Sequence, residues 1–244
     1  MEKNLLLLSS SRVGDSGYLE QALPDIKEFL SGKLNNEQKL LFIPFAGISV
    51  GFDQYEKLVQ EAFAKIQLKI QSIHHFEDKL QAVNSCCAII TGGGNTFSLL
   101  NDLYLNNLIE PIQDVINRGV PYIGWSAGSN IAAPTIRTTN DMPIVEPTSF
   151  EALNLLPWQI NPHYIEGNPA GHNGETRQQR LEEFLIANPK KQVIALPEGS
   201  GLKLSNGKLN YFGKTSGWIF NRQEKMAIDN NTNLIQALKS NDKL

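Results

Sequence analysis

The chain has 244 residues, the usual length of one α/β domain, and 41% of them are hydrophobic, which is enough for a sizeable core and excludes a disordered or fibrous chain. Its formal net charge is −3 and its basic residues are scattered, so we expect no nucleic-acid-binding surface. The two cysteines, Cys86 and Cys87, are adjacent, which excludes a disulfide framework and offers no zinc-type ligand spacing.

In chain order, short apolar runs alternate with amphipathic segments. The first run, Leu5–Leu8, is too short for the core of a signal peptide, and no run approaches the roughly 20 apolar residues of a membrane-spanning helix. We therefore expect a cytoplasmic protein without membrane contact, in keeping with its unpaired cysteines. Continuous apolar runs are typical of parallel strands covered on both faces, and here they are Leu5–Leu8, Leu40–Phe45, Cys86–Thr91, Val120–Gly124 and Val193–Pro197.

Helical spacing of apolar residues occurs between these runs, over Leu19–Leu30, Tyr55–Ile66 and Leu108–Asn117. Thr176 and Gln179 form a capping-box pattern that predicts the start of a further helix. Strands that alternate with helices favour an open, mostly parallel sheet with helices on both faces.

The C-terminal part has a different pattern. Asn206-Gly207 separates Gly201–Ser205 from Lys208–Phe212 and predicts a two-residue β-hairpin. Trp218–Phe220 suggests another short strand, and Asn231–Ser240 a closing helix. No linker or repeat is evident, so we expect residues 1–244 to form one domain.

Gly124-Trp125-Ser126-Ala127-Gly128 matches the G-x-S-x-G pattern between a strand-like run and a small-residue helical stretch. Glycine at both flanks relieves crowding on a tight turn that would expose the Ser126 hydroxyl as a nucleophile. The N–H of Ala127, at a helix N-terminus, is then a candidate oxyanion donor. A plain strand-to-helix turn is the alternative.

A second glycine-rich loop, Gly92-Gly93-Gly94-Asn95, directly follows the run that ends at Thr91. Backbone N–H groups in such a loop can approach a ligand closely, and we expect that of Gly94 to complete the oxyanion hole. The phosphate-binding patterns that place a lysine after the loop, or space glycines as G-x-G-x-x-G, are absent from the sequence.

A serine nucleophile requires a base and a carboxylate that orients it. Of the four histidines, His163 is the best candidate because it follows the strand-like segment Gln159–Asn161, whereas His74-His75 and His172 lie elsewhere. Asp141 and Glu198 are both candidate acids. The order Ser126, Asp141, His163 matches an α/β-hydrolase, but the stretch between Ser126 and His163 is too short for the lid and further units of that fold.

These segments resemble the peptidase E family over nearly the whole chain, to about Phe220. The motifs that carry the resemblance are Gly92–Phe97, Ile123–Gly128, Pro134–Val145, Ile160–His163 and Leu196–Gly199, with similar segments at Leu5–Ser10 and Ile43–Gly47. The resemblance implies a fold like that of the class I glutamine amidotransferases and cleavage of dipeptides with an N-terminal aspartate. It also implies Ser126 as nucleophile, His163 as base, Asp141 or Glu198 as the third member, and Gly94 and Ala127 as the oxyanion hole.

An aspartyl substrate brings a carboxylate into the site, and arginine binds carboxylates bidentately. Arg137 is the first candidate and Arg177 the second, with Asn95 as a further polar contact. We expect no cofactor and no metal, and a small peptide with an N-terminal aspartate as the partner. The sequence does not indicate an oligomeric state. The alternatives are a cyanophycinase-like hydrolase of β-aspartyl linkages and a non-enzymatic ligand-binding member of the fold.

Overall fold

The computed structural model describes residues 2–34, 39–168, 171 and 173–239. Within these ranges the strands are β1 (Leu5–Leu8), β2 (Leu40–Ile43), β3 (Ile70–Ser72), β4 (Ile89–Thr91), β5 (Tyr122–Trp125), β6 (Gln159–Asn161), β7 (Val193–Ala195), β8 (Gly201–Ser205), β9 (Lys208–Phe212), β10 (Gly217–Phe220) and β11 (Lys225–Ile228). The helices are α1 (Leu23–Leu30), α2 (Phe52–Ala64), α3 (Lys79–Ser85), α4 (Thr96–Leu105), α5 (Ile109–Asn117), α6 (Ala127–Asn130), α7 (Arg177–Ala187) and α8 (Leu234–Lys239), with a 3₁₀ turn at Ile73–His75.

The main sheet has seven strands in the order β3-β2-β4-β5-β1-β8-β9. The first five are mutually parallel, so the carboxyl ends of β2, β4, β5 and β1 meet at one edge of the sheet. Strand β8 runs antiparallel to β1 and begins the predicted hairpin. The mostly parallel sheet predicted from the apolar runs is confirmed.

Helices cover both faces of this sheet, as predicted. Successive residues of β1 point to opposite faces: Leu5 and Leu7 pack in one apolar cluster, and Leu6 and Leu8 in another. The first cluster includes residues from α4 and α5, and the second includes residues from α1 and α2. Because both faces of the strands are buried, their sequences consist of consecutive apolar residues.

A second sheet of four strands, in the order β11-β10-β7-β6, was not predicted. Strand β7 was expected beside the other apolar runs but pairs instead with β6 in parallel and with β10 in antiparallel fashion. Apolar side chains of this sheet, including Ile160 and Ile194, join the same cluster as Leu5 and Leu7. The two sheets therefore share one core.

The local predictions at the C-terminal part are confirmed. Asn206 and Gly207 both have positive φ angles, of 52° and 69°, as a type I′ hairpin turn requires. The Thr176 side chain caps α7 in a complete capping box with Gln179. The predicted closing helix is α8, although Ser240 lies outside the described residues. Among the helices of the described ranges, none is both long and apolar enough to cross a bilayer.

Candidate active site

Ser126 lies on a sharp turn between β5 and α6, at the carboxyl edge of the main sheet. Its φ and ψ are 53° and −115°, a strained conformation for a residue with a side chain. A Cβ atom on Gly124 would lie 2.3 Å from the carbonyl oxygen of Gly128, and one on Gly128 would lie 2.2 Å from that of Thr91. Both glycines are therefore required by close backbone approach.

His163 enters from the second sheet, just after β6. Its φ is also positive, at 54°, and its backbone N–H donates to Ser9 Oγ at 2.9 Å. Its Nε2 lies 2.8 Å from Ser126 Oγ, and its Nδ1 lies 2.9 Å from Glu198 Oε1. A proton on Nδ1 that is donated to Glu198 leaves the Nε2 lone pair facing the serine hydroxyl. The contact needed for proton transfer is thus already formed.

The two candidate acids have different partners. Glu198 follows β7 and contacts the His163 ring, whereas Asp141 accepts hydrogen bonds from the N–H of Thr96 at 2.7 Å and from its hydroxyl at 2.5 Å. Thr96 is the first residue of α4, so Asp141 holds the start of this helix. Of the two carboxylates, Glu198 is the one that the structure brings into hydrogen-bond contact with the histidine.

The glycine-rich loop after β4 lies against the serine. A Cβ atom on Gly93 would approach Ser126 Cβ to 2.9 Å, and one on Gly94, whose φ is 135°, would lie 2.0 Å from the carbonyl oxygen of Ala46. The Gly93 carbonyl accepts a hydrogen bond from Tyr55 Oη at 2.9 Å. Because C=O and N–H point in opposite directions across a trans peptide, the Gly94 N–H is directed away from Tyr55.

The N–H of Ala127, the first residue of α6, has no intrahelical acceptor. The glycine loop and the start of α6 thus both lie next to Ser126, and the oxyanion-hole role of Gly94 and Ala127 stays a prediction.

Two cavities open beside Ser126. One of about 490 Å³ is lined by the glycine loop, residues 46–50, Tyr55 and His163. The other, of about 180 Å³, contains Asp141 and Arg177. The side chain of Arg177 is partly buried, and its Nη1 has no hydrogen-bond partner among the described residues.

Burial and the neighbouring Arg180 lower the pKa of Arg177, and Asp141 acts in the opposite direction. Arg137, the first candidate from the sequence, is exposed, with its guanidinium 5.6 Å from the centre of the Phe150 ring. Arg137 lines neither of the two cavities beside Ser126, whereas Arg177 lines the smaller one.

Asn95 lines the larger cavity, but both groups of its side-chain amide have internal partners. The oxygen accepts from the N–H of Ser98 and caps α4, and the nitrogen donates to the carbonyl of Met142 at 2.8 Å. The structure therefore gives this residue a role in fixing the loop. Direct substrate contact by Asn95 would require one of these bonds to open.

A chain of hydrogen bonds between aromatic side chains supports the site, and it was not predicted from the sequence. Trp125 Nε1 donates to Tyr18 Oη, Tyr18 donates to Tyr55 Oη, and Tyr55 donates to Gly93. Burial is the main cause of the raised pKa of Tyr55, which keeps its hydroxyl protonated. Residues far apart in sequence form this chain, so no local pattern could have indicated it.

Ser126 lies on a strained turn at the end of a central strand and is hydrogen bonded to a histidine that contacts a carboxylate. This arrangement is that of a serine hydrolase, here on an α/β fold. The family model "Peptidase family S51" matches residues 5–212. The chain belongs to this family, and it is a peptide hydrolase of the serine type.

Curated relatives named "Peptidase E" match almost the full chain. That from Shewanella denitrificans is 50% identical over 225 residues, covering 92% of this chain and 94% of the relative. That from Haemophilus influenzae is 48% identical over 217 residues, covering 89% and 99%. The family resemblance inferred from the motifs is confirmed.

Solved structures support the fold. A crystal structure from Listeria monocytogenes, described as a candidate peptidase E, has a TM-score of 0.67 and 25% identity, and the match covers 88% of this chain and all of that one. A peptidase from an acI-B1 actinobacterium has a TM-score of 0.69 at 16% identity, with 95% and 96% coverage, and so bears on the fold alone. The predicted amidotransferase-like fold class is consistent with both.

Proposed function

We propose that this peptide hydrolase is a dipeptidase that cleaves Asp-Xaa through an acyl-enzyme on Ser126. The observation that carries the proposal is the continuous hydrogen-bonded array from Ser126 Oγ through His163 to Glu198. An alcohol is a weak nucleophile at neutral pH, and a base already in contact with it removes that limitation.

In the first step Ser126 Oγ attacks the scissile carbonyl carbon while His163 Nε2 takes its proton. The carbonyl oxygen becomes an oxyanion, which the N–H groups of Gly94 and Ala127 are positioned to stabilise. The C–N bond then breaks, and His163 returns the proton to the leaving amine. Water, deprotonated by the same imidazole, attacks the ester and releases aspartate and free Ser126.

Glu198 is assigned the orienting role because it contacts Nδ1 of the ring. Its carboxylate fixes the tautomer that leaves Nε2 able to accept a proton, and it stabilises the imidazolium that forms. Asp141 is assigned a supporting role at the start of α4, where it also acts on Arg177.

Recognition of the N-terminal aspartate is assigned to Arg177. An arginine whose buried Nη1 has no acceptor among the described residues, in a cavity shared with Ser126 and His163, is suited to a ligand carboxylate. The similarity to the curated peptidase E relatives and the resemblance of the motifs support an aspartyl substrate. The free thiols of Cys86 and Cys87 support a reducing, cytoplasmic location.

The nucleophile is tested with Asp-Leu hydrolysis and labelling by a fluorophosphonate. We expect Ser126→Ala to lose on the order of 10⁶ in kcat and all labelling. Ser49→Ala, at an exposed serine on the rim of the larger cavity, is the matched control and should keep both. Labelling that survives in Ser126→Ala, or a wild type that neither reacts nor is labelled, contradicts the proposal and favours a non-enzymatic member of the fold.

The specificity is tested with Arg177→Ala and Arg137→Ala, assayed on α-Asp-Leu, β-Asp-Leu and Ala-Leu. Loss of a charged hydrogen bond should lower kcat/KM for α-Asp-Leu by about 10–100-fold in Arg177→Ala, and little in Arg137→Ala. The opposite ranking would restore Arg137 as the substrate contact. Faster cleavage of the β-linked peptide by the wild type would identify the cyanophycinase-like alternative.

A further inference from the structure

A cluster of four potential metal ligands lies outside the proposed active site. It consists of Asp53 and Glu56 from the first turns of α2, and His74 and His75 from the 3₁₀ turn after β3. One ligand atom from each residue lies within 4.8 Å of every other. No metal was predicted from the sequence, because these two pairs are separated along the chain and give no short zinc-type spacing.

The contacts within the cluster bring the four atoms to one point. His74 Nε2 lies 2.9 Å from Asp53 Oδ1, and His75 Nε2 lies 2.6 Å from Glu56 Oε2 and 3.7 Å from Asp53 Oδ1. Four ligands at zinc bond lengths of about 2.0–2.2 Å lie roughly 3.3 Å from each other in a tetrahedron. These three separations lie on both sides of that value and the other pairs of ligand atoms lie within 4.8 Å, so the four atoms can close on one ion with shifts of up to about an ångström.

The buried residue Ser72 orients the less exposed half of the cluster, His74 and Glu56. His74 Nδ1 contacts Ser72 Oγ at 2.6 Å, and Glu56 Oε1 accepts from the Ser72 N–H at 2.7 Å. Ser72 is fully buried, and the side chains of His74 and Glu56 are only 18% and 19% exposed. A hydrogen bond at the second ring nitrogen directs the first toward a metal, as in known histidine sites.

We propose that Asp53, Glu56, His74 and His75 bind one divalent transition-metal ion, with Zn²⁺ as the probe. Imidazole nitrogen and carboxylate oxygen are ligands that Zn²⁺ accepts, and the two carboxylates balance its charge. Binding replaces the two histidine–carboxylate hydrogen bonds with metal bonds, and each neutral imidazole then carries its single ring proton on Nδ1 while its Nε2 lone pair binds the metal. His74 then donates its Nδ1 proton to Ser72 Oγ, whose hydroxyl can serve as donor or acceptor.

The site would reinforce one wall of the larger cavity. Helix α2, which carries Asp53 and Glu56, also carries Tyr55, whose hydroxyl holds the glycine loop through the Gly93 carbonyl. A metal that ties the start of α2 to the end of β3 stabilises the helix from which Tyr55 reaches that loop. The ion itself takes no part in the proposed hydrolysis, so metal binding can be tested independently of that activity.

The test is equilibrium dialysis of chelator-treated full-length protein against Zn²⁺, with metal content measured by mass spectrometry. We expect one Zn²⁺ per chain in the wild type, and binding at least 100-fold weaker in a His74→Ala/His75→Ala variant. Ser72→Ala, which removes only the orienting hydroxyl, should weaken binding by about 10–100-fold. Bound Co²⁺ in place of zinc should give the intense visible absorption of four-coordinate cobalt in the wild type and not in the His74→Ala/His75→Ala variant.

The matched control is His163→Ala, because His163 and Glu198 form the other histidine–carboxylate pair among the described residues. It should keep the full zinc content. If the double variant does not fold, Asp53→Asn replaces it, since this side chain is 86% exposed, and should weaken binding about tenfold. Absence of bound zinc in the wild type, or zinc that is lost in His163→Ala and kept in Asp53→Asn, would overturn the proposal.

Discussion

Ser126 and His163 share an unusual backbone conformation, since both have φ angles near +54° although neither is glycine. Such strain persists only where surrounding contacts hold it, and consecutive residues at the end of β1 do so here. The N–H of Ser126 donates to the carbonyl of Leu8, and that of His163 to Ser9 Oγ. The hydroxyl and the imidazole are therefore positioned from one strand end, which preserves the 2.8 Å contact between them.

The substitutions Glu198→Gln and Asp141→Asn show which of the two candidate acids orients His163. Removing the charge beside Nδ1 should lower kcat for Asp-Leu by about 10²–10⁴-fold, because the imidazole loses its orienting acceptor and the imidazolium its counter-charge. Asp141→Asn should act mainly on KM, since Asp141 contacts Thr96 and influences Arg177. Steady-state kinetics of both variants are the measurement. A large kcat loss in Asp141→Asn with little change in Glu198→Gln would reverse the assignment.

At the scale of secondary structure, the turn from β5 to α6 is held by hydrogen bonds from buried side chains to backbone carbonyls. Tyr122 Oη donates to the Gly128 carbonyl at 2.6 Å, and Ser129 Oγ donates to the carbonyls of Leu8 and Gly124. Helix α6 is only four residues long and could not form by itself. Tertiary hydrogen bonds therefore hold the turn that presents Ser126.

Gly124→Ala tests this dependence. The new Cβ would lie 2.3 Å from the Gly128 carbonyl oxygen, and this is backbone that cannot rotate away. We expect the free energy of unfolding to fall by about 1–3 kcal/mol, together with loss of Asp-Leu hydrolysis. Urea denaturation followed by circular dichroism gives the first quantity.

The control for this substitution is Gly51→Ala. A Cβ at Gly51 meets nothing within 4 Å, and its φ of −58° suits any residue. Gly51→Ala should change the free energy of unfolding by less than about 1 kcal/mol. Equal destabilisation by the two substitutions would show that close approach at Gly124 is not what limits the turn.

At the scale of the whole molecule, the site is assembled across two sheets. Ser126 and the glycine loop come from the main sheet, whereas His163 and Glu198 follow adjacent parallel strands of the second sheet. Ser9 joins the sheets, because its hydroxyl donates to the Leu196 carbonyl at 2.7 Å and accepts from the His163 N–H. One apolar cluster spans both sheets in the described part of the chain, and the single domain expected for residues 1–244 stays a prediction.

Ser9→Ala should therefore affect stability and catalysis together. It leaves the buried Leu196 carbonyl and the His163 N–H without this partner, at a cost of about 1–3 kcal/mol in the free energy of unfolding. The kcat for Asp-Leu should also fall, because the backbone that carries the base is no longer anchored. Thermal and urea denaturation, with kinetics on the same samples, provide the measurement.

Ser205→Ala is the comparison for Ser9→Ala, since the Ser205 hydroxyl makes only a 3.3 Å contact with Asn4 on the outer part of the sheet. It should change neither quantity appreciably. A Ser9→Ala variant as stable and as active as this control would show that the bridging hydroxyl does not couple the sheets.

Local patterns predicted much of the architecture because their cause is local. Parallel strands buried on both faces read as continuous apolar runs, and the hairpin and capping box require particular residues at fixed positions. The same reasoning identified Ser126 and His163 as candidates. It missed β11 and the second sheet, since strand pairing depends on which edges meet after the chain folds and not on composition.

The sequence by itself determined the fold class, because buried parallel strands leave continuous apolar runs, and the family, through the resemblance of its motifs. It also gave a short set of candidate residues for acyl transfer, because tight turns impose particular residues at fixed positions. Only the tertiary structure decided that Glu198 rather than Asp141 contacts His163, that Arg177 rather than Arg137 lines a cavity beside Ser126, and that two histidines meet two carboxylates near α2. Each of these is a distance between residues far apart in the chain. Such distances are set by how sheets and loops pack, which no local pattern encodes.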